Sequence, residues 1–172
     1  ELDSLSDFIS FGIAPAIVVY IWSKSFFMES SWAVVIFYAI CSSSRLAKFN
    51  LSNFEDKNDL KKIKFFSGVS TPAAAGLTLL PLMIFFRFDT PLEANEFIMK
   101  FYLFIPAILM ITNIPTYSLK GIRFEKRIIS LLIILLASFL SLLLTDFWLA
   151  MIILIIVYFL SIPFAIIDFK KN

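Results

Sequence analysis

The sequence predicts an all-α protein, a polytopic bundle of transmembrane helices, and three observations lead to this prediction. Hydrophobic residues fill 60% of the 172 positions and charged residues 16%, whereas an ordinary soluble domain carries about 25% charged residues. The mean hydropathy is +0.90. Apolar runs close to the length that crosses the hydrocarbon core, about 20 residues, recur along the whole chain. A water-soluble globule could not bury this much apolar surface.

Six segments are predicted to span the membrane. They cover Leu5–Trp22, Trp32–Phe49, Ser70–Phe88, Phe97–Thr112, Ile128–Leu144 and Trp148–Ile167. Four prolines fall within these spans, where packed neighbouring helices tolerate the kinks that prolines cause: Pro15, Pro81, Pro106 and Pro163. We expect a single membrane domain over residues 1–172, with one longer cytoplasmic loop at residues 50–66.

The charge of the connecting loops predicts the topology. Twelve of the fifteen Lys and Arg residues lie in the loops Arg45–Phe66 and Tyr117–Arg127 and in the tail after Asp168. The positive-inside rule assigns these segments to the cytoplasm. Six spans then place both ends of the chain at the cytoplasmic face. The tryptophans fall at the opposite helix ends, as an outer aromatic belt requires: Trp22, Trp32 and Trp148.

Composition also excludes several kinds of chemistry. The chain has no histidine, which removes the commonest general base and metal ligand. A net charge of +2 does not indicate a nucleic-acid partner. Cys41 is the single cysteine, so no intrachain disulfide can form and we assign this residue to packing. The usual nucleotide, zinc and serine-hydrolase motifs are absent. Any chemistry must therefore use carboxylates, Lys, Arg, Tyr or hydroxyl groups.

Two aspartates stand at the start of the first span. Asp3 and Asp7 are four residues apart and therefore share one face of a helix. Carboxylates on an otherwise apolar helix are costly unless a bound cation or a proton-transfer role retains them. The alternative is a solvated acidic first turn, since aspartate favours the beginning of a helix. Spacing alone leaves both interpretations open.

The second span ends in the basic segment Arg45-Leu-Ala-Lys-Phe-Asn50. Arg45 and Lys48 are three residues apart and share a helix face, so together they could clamp one phosphate group. The alternative is ordinary snorkelling of cationic side chains at a helix end.

The third span begins with Ser70-Thr-Pro-Ala-Ala-Ala-Gly76. Thr71 followed by Pro72 is typical of an N-cap and a first helical residue. The small residues that follow let neighbouring backbones approach closely, or else leave room for a ligand. With the aspartates and the basic segment, they predict a polar site at one end of the bundle, suited to a divalent metal and an anionic, phosphorylated substrate.

Several of these segments resemble one family. The opening Glu1-Leu-Asp-Ser-Leu-Ser-Asp-Phe-Ile-Ser-Phe-Gly-Ile-Ala-Pro-Ala16 is similar to the second half of the signature D-G-x2-A-R-x8-G-x3-D-x3-D of the CDP-alcohol phosphotransferases. Asp3 and Asp7 match its last two aspartates. Arg45–Asn50, Ser70–Gly76 and Asn113–Ser118 resemble later segments of the branch of this family that uses serine as the acceptor alcohol.

The resemblance implies a divalent-metal-dependent transfer, with CDP-diacylglycerol and L-serine as substrates and phosphatidylserine and CMP as products. Asp3 would be a ligand of Mg²⁺ or Mn²⁺, and Asp7 would be the general base and also contact the metal. Arg45 and Lys48 would hold the lipid-side phosphate or the serine carboxylate. The remaining substrate-binding candidates come from the matched motifs: Asn50, Thr71 and Pro72.

The resemblance also implies what surrounds these residues. The first half of the signature would precede Glu1, so we expect an N-terminally truncated chain from a protein of about eight spans. Such proteins tend to form homodimers, and we expect this one in the lipid of a bacterial or archaeal cell membrane. One alternative is a sister enzyme with another acceptor alcohol, and another is an inactive fragment without half of its metal site. A transporter or channel would place ionisable residues near the middle of its spans, and the predicted spans have none there.

Overall fold

The computed structural model describes residues 2–23, 32–54, 65–89, 96–117 and 126–171. The all-α prediction is confirmed, with one small pair of strands in addition. The helical elements are α1 (Leu2–Asp7), a π segment (Phe8–Ile13) continuous with α2 (Ala14–Ser23), α3 (Trp32–Phe54), α4 (Thr71–Phe88), α5 (Glu96–Ile111), α6 (Lys126–Thr145) and α7 (Phe147–Lys171). The strands are β1 (Phe65–Ser67) and β2 (Pro115–Tyr117).

Four of the described helical stretches are long and apolar enough to cross a membrane. They are Leu2–Trp22, Trp32–Leu51, Thr71–Phe88 and Phe147–Asp168. Two further apolar stretches, Tyr102–Ile111 and Ser130–Thr145, are shorter. The class of helical membrane protein is thus supported, whereas the count of six spans and the cytoplasmic location of both ends stay predictions.

Helix α4 lies at the centre of the bundle, against α2, α5, α7 and the π segment. Its small residues explain this position, because Ala74 and Ala75 are buried. A Cβ atom at Gly76 would lie 3.1 Å from Cγ1 of Ile155 on α7. For this stretch the structure therefore shows close helix packing, the first of the two explanations that the sequence allowed.

Aromatic side chains pack against each other where several helices end at one side of the bundle. The rings of Tyr20 and Trp32 are 4.7 Å apart, those of Trp22 and Phe85 are 5.6 Å apart, and those of Phe86 and Trp148 are 5.1 Å apart. Beside them, Arg87 Nε lies 2.5 Å from Asp146 Oδ2, and Asp146 Oδ1 accepts a hydrogen bond from the backbone of Leu149 in the first turn of α7. The three tryptophans therefore lie at one end, as predicted. The other end holds α1 and the end of α3.

A two-stranded antiparallel pair at that other end was not predicted. Phe65 of β1 is opposite Tyr117 of β2, and Ser67 is opposite Pro115. Gly68 follows β1 with φ of +80°, and its amide donates to the carbonyl of Ile114 at 2.8 Å. A Cβ atom there would lie 2.9 Å from the carbonyl oxygen of Thr112, so glycine is required. The pair holds the start of α4 against the end of α5.

The strand pair also changes the prediction of a loop at residues 50–66. Helix α3 continues to Phe54, and β1 begins at Phe65, so ordered elements take up both ends of the predicted loop. The middle of the loop, residues 55–64, lies outside the described residues.

Candidate functional site

The start of α1 and the end of α3 lie side by side. Asn50 Nδ2 donates a hydrogen bond to Ser4 Oγ at 3.2 Å, and Ser4 stands in the turn between Asp3 and Asp7. Both aspartates are exposed, whereas Ser4 and Asn50 are half-buried. Among the predicted site residues, the structure therefore brings the aspartate turn together with the end of the basic segment.

Arg45 joins α3 to the start of α4. Its Nε donates to the carbonyl of Val69 at 2.5 Å, and its Nη1 donates to Thr71 Oγ1 at 3.1 Å. Val69 and Thr71 are both buried. A guanidinium group has five N–H donors, and these two bonds are the ones that Arg45 makes within the described parts of the chain. The remaining donors are thus held in a fixed orientation, and the described residues leave them available to an anion.

Lys48 and Pro72 are less closely tied to this arrangement. Lys48 lies one turn beyond Arg45 on α3 and is exposed, and no described carboxylate forms an ion pair with it. Pro72 is exposed at the second position of α4. Among the described residues, the hydrogen bonds that join α1, α3 and α4 are made by other side chains.

The predicted cap of α4 is wrong by one residue. The N-cap is Ser70, with an extended backbone at φ −65° and ψ 146°, and Thr71 is the first residue of the helix. The reason is the interaction with Arg45, since the Thr71 hydroxyl accepts a hydrogen bond from that guanidinium group and does not cap the helix.

The aspartate pair fits a divalent cation that also binds a substrate. In the described ranges, no group of three or more His, Cys, Asp or Glu side chains comes together. A cage built from the protein alone is therefore not formed by these residues. Magnesium, however, is commonly held by one or two carboxylates, with substrate phosphates and water completing its octahedron. Asp3 and Asp7, exposed and one helical turn apart, can provide such a pair of ligands.

The aspartate helix is held in place by residues that the sequence pattern did not indicate. The π segment follows directly after Asp7, and Tyr38 on α3 donates its hydroxyl to the carbonyl of Phe11 in that segment at 3.2 Å. Ser42, also on α3, lies against Gly12. Pro15 was the available signal, although it predicted a kink and not a π segment.

Fold and site together define a class of protein: a helical membrane protein with acidic and basic side chains gathered at one end of its bundle. No family model matches the chain. It is similar, however, to proteins named CDP-diacylglycerol–serine O-phosphatidyltransferase. The relative in Mycobacterium tuberculosis is 28% identical over 166 residues, which are 96% of this chain and 58% of the relative.

Relatives with the same name occur in distant organisms. The Helicobacter pylori protein is 31% identical over 139 residues, covering 80% of this chain and 56% of the relative. The Methanocaldococcus jannaschii protein is 30% identical over 138 residues, covering 69% of this chain and 62% of the relative. These matches confirm the resemblance to serine-using phosphatidyltransferases, which are enzymes. The chain spans 56% to 62% of the length of these relatives.

Proposed function

We propose that the protein transfers the phosphatidyl group of CDP-diacylglycerol to the hydroxyl of L-serine at the cytoplasmic membrane face, forming phosphatidylserine and CMP. One observation carries this proposal. The two aspartates of the matched signature lie beside the end of the matched Arg45–Asn50 segment, joined by the hydrogen bond between Ser4 and Asn50. Relatives that are similar over 96% of the chain bear the name of this activity.

Asp3 and Asp7 would hold the divalent cation, Mg²⁺ or Mn²⁺. The bound cation would neutralise the pyrophosphate of the substrate and the charge that develops on the departing CMP. Both carboxylates are exposed at the end of the bundle, where a nucleotide from water and acyl chains from the bilayer can reach the same place.

Asp7 would also be the general base. The serine oxygen forms a new bond to the phosphorus that carries the diacylglycerol, the bond from this phosphorus to the CMP oxygen breaks, and the serine proton passes to the Asp7 carboxylate. A carboxylate positioned within hydrogen-bonding reach of the hydroxyl contributes such catalysis.

Arg45 and Lys48 would bind the lipid-side phosphate or the serine carboxylate. The bonds from Arg45 to Val69 and Thr71 orient its guanidinium group before substrate arrives, which lowers the entropic cost of binding. Thr71 then contributes by orienting Arg45, and Asn50 by holding Ser4 and the aspartate turn.

The acceptor is tested with the full-length protein in liposomes that contain CDP-diacylglycerol and Mn²⁺. We expect CMP release with L-serine and little release with glycerol 3-phosphate or inositol phosphate, because those acceptors are anionic and should require additional cations. Equal or faster release with one of them would favour the sister-enzyme alternative. No release with any acceptor, from protein that is folded, would contradict the proposed function.

Removing Lys48 and Arg45 in separate variants is expected to distinguish an effect on substrate binding from an effect on the stability of the fold. Lys48→Ala should raise the KM for CDP-diacylglycerol or serine by about tenfold, the value of one charged hydrogen bond, without lowering the melting temperature. Arg45→Ala should raise KM and also lower the melting temperature, because the buried carbonyl of Val69 and the hydroxyl of Thr71 lose their donor.

Thr71→Val is the matched control for Arg45. It removes one hydrogen bond and keeps the guanidinium charge, so it should lower the melting temperature with a smaller rise in KM. An unchanged KM for both substrates in Arg45→Ala and Lys48→Ala would remove these residues from substrate binding.

A further inference from the structure

The π segment lies between the aspartate turn and the packed part of the same helix. The backbone N–H of Ala14 donates to the carbonyl of Ile9, five residues earlier, where an α-helix would use the carbonyl four residues earlier. Such a segment contains about one residue more than the α-helix it replaces, so it turns the preceding residues by about 100° relative to the following ones. The preceding residues include Asp3 and Asp7.

Pro15 helps to explain why the segment forms at this position. Proline lacks an N–H group, and in an α-helix its ring collides with the carbonyl four residues earlier, here that of Phe11. The Tyr38 hydroxyl donates to that carbonyl. Three other prolines lie inside α-helices of the described chain: Pro81, Pro106 and Pro163. At Pro81 the arrangement is the same, since Tyr102 donates its hydroxyl to the carbonyl of Leu77, four residues earlier, yet α4 stays α-helical there. A proline with a tyrosine hydroxyl on this carbonyl is therefore insufficient, and the site at Pro15 differs by the closer approach of α3 at Gly12.

Gly12 lets α3 approach the π segment closely. A Cβ atom at Gly12 would collide with Ser42 Oγ and would lie 3.0 Å from Ser42 Cβ and 2.9 Å from Phe8 Cδ2. Gly12 is buried, and so is Ser42. Gly12 thus marks the side of the helix that faces α3, and it supplies a reference direction for the aspartates.

The extra residue changes where the carboxylates point. In an uninterrupted α-helix, Asp7 would be directed about 140° away from Gly12 and Asp3 about 180° away, so both would face away from α3. One additional residue reduces these angles to about 40° and about 80°. The π segment therefore turns the aspartate pair towards the helix that carries Arg45 and Lys48.

Two further observations agree with this rotation. In an uninterrupted α-helix, Leu5 would lie above Gly12 on the side facing α3, since seven residues make nearly two turns. Instead, Leu5 is 59% exposed, and its neighbour Ser4 makes the hydrogen bond to Asn50.

We propose that Pro15, Gly12 and Tyr38 are positioning residues for the aspartate pair. Together they produce the π segment that turns the carboxylates of Asp3 and Asp7 towards α3. The inference rests on the proposed function, because the cation and the serine hydroxyl are what require the carboxylates on that side. It assigns to these three residues an effect on metal binding that they exert without touching metal or substrate.

Cross-linking tests the rotation without any need for activity. In the full-length protein, Cys41→Ser first removes the cysteine of this chain. Asn50→Cys is then combined with Ser4→Cys in one variant and with Leu5→Cys in another. A short thiol-to-thiol cross-linker should join the pair that includes position 4 several-fold faster than the pair that includes position 5. Equal rates, or a faster reaction at position 5, would overturn the proposal.

The cross-linking rates of the same two cysteine pairs are then measured in variants that also carry Pro15→Ala, Gly12→Ala or Tyr38→Phe. We expect each substitution to shift the ratio of the two rates towards position 5, most strongly for Pro15→Ala, which restores an N–H donor for the Phe11 carbonyl. Pro163→Ala, at an exposed proline of α7, is the matched control and should leave the ratio unchanged. Tyr38→Phe removes one hydroxyl, and so decides the matter if the other variants do not fold.

Titration with Mn²⁺ tests whether the rotation of the aspartates affects the proposed metal site. In titrations with Mn²⁺ alone, followed by electron paramagnetic resonance, the variants that shift the ratio should bind Mn²⁺ about tenfold more weakly, because the ligands are displaced from their supported geometry. A shifted ratio with unchanged Mn²⁺ affinity would overturn the positioning role. If Mn²⁺ affinity follows the ratio and no acceptor releases CMP, the proposed function fails while the positioning of the metal ligands stands.

Discussion

Asp7→Asn is expected to reduce turnover by about 10²- to 10⁴-fold, the usual contribution of a positioned general base. The asparagine amide has nearly the shape of the carboxylate, yet it cannot accept the proton of the serine hydroxyl. Asp7 is exposed at the end of α1, so the substitution removes no packing and the melting temperature should be unchanged. The measurement is CMP release by the full-length protein at saturating serine, CDP-diacylglycerol and Mn²⁺.

Asp89→Asn provides the matched control for this substitution. Asp89 is an exposed carboxylate that follows α4 at the other end of the bundle, with φ of +46°, a conformation that asparagine tolerates as well as aspartate. The Asp89→Asn variant should retain the full rate of CMP release. Turnover in Asp7→Asn close to that of the parent protein would remove Asp7 from the mechanism, whereas binding of CDP-diacylglycerol in that variant should largely survive.

Composition and segment length were sufficient to predict the class of fold. The helices α3, α4 and α7 cover the predicted spans from Trp32, Ser70 and Trp148 to within a few residues at most boundaries, because an apolar run in a bilayer must satisfy its own backbone and so forms a helix. The tryptophans mark one end of the bundle for a similarly local reason. These features depend on residues that are close together in the sequence.

The contacts that shape the site depend on residues far apart in the sequence. Arg45 is fixed by Val69 and Thr71, more than twenty positions later, and no local pattern indicates that pairing. The strands β1 and β2 have three residues each, too few to show an alternating pattern.

The π segment is a further example of this limit. Pro15 indicates that the helix is perturbed, yet the perturbed segment packs against Tyr38 and Ser42 of α3, which are more than twenty positions later in the sequence. The sequence therefore predicted that Asp3 and Asp7 share a face, and it could not predict which side of the bundle that face meets.

Asp3→Asn is expected to change the metal dependence more than the chemical step. The amide keeps an oxygen ligand and loses the negative charge, and cation affinity depends strongly on the number of charged ligands. We expect the Mn²⁺ concentration for half-maximal CMP release to rise by at least about tenfold, with part of the lost rate restored at high Mn²⁺. Asp7→Asn should show no such recovery, because added metal does not replace a missing base.

Two variants on the same helix make this comparison specific. Asp3→Glu keeps the charge and should retain more of the metal affinity than Asp3→Asn does. Ser6→Ala, at an exposed neighbouring position of α1, should leave the metal dependence unchanged. If Asp3→Asn and Asp7→Asn had identical metal dependence and identical residual rates, the two carboxylates would act as one unit, and the separate roles of ligand and base would have to be abandoned.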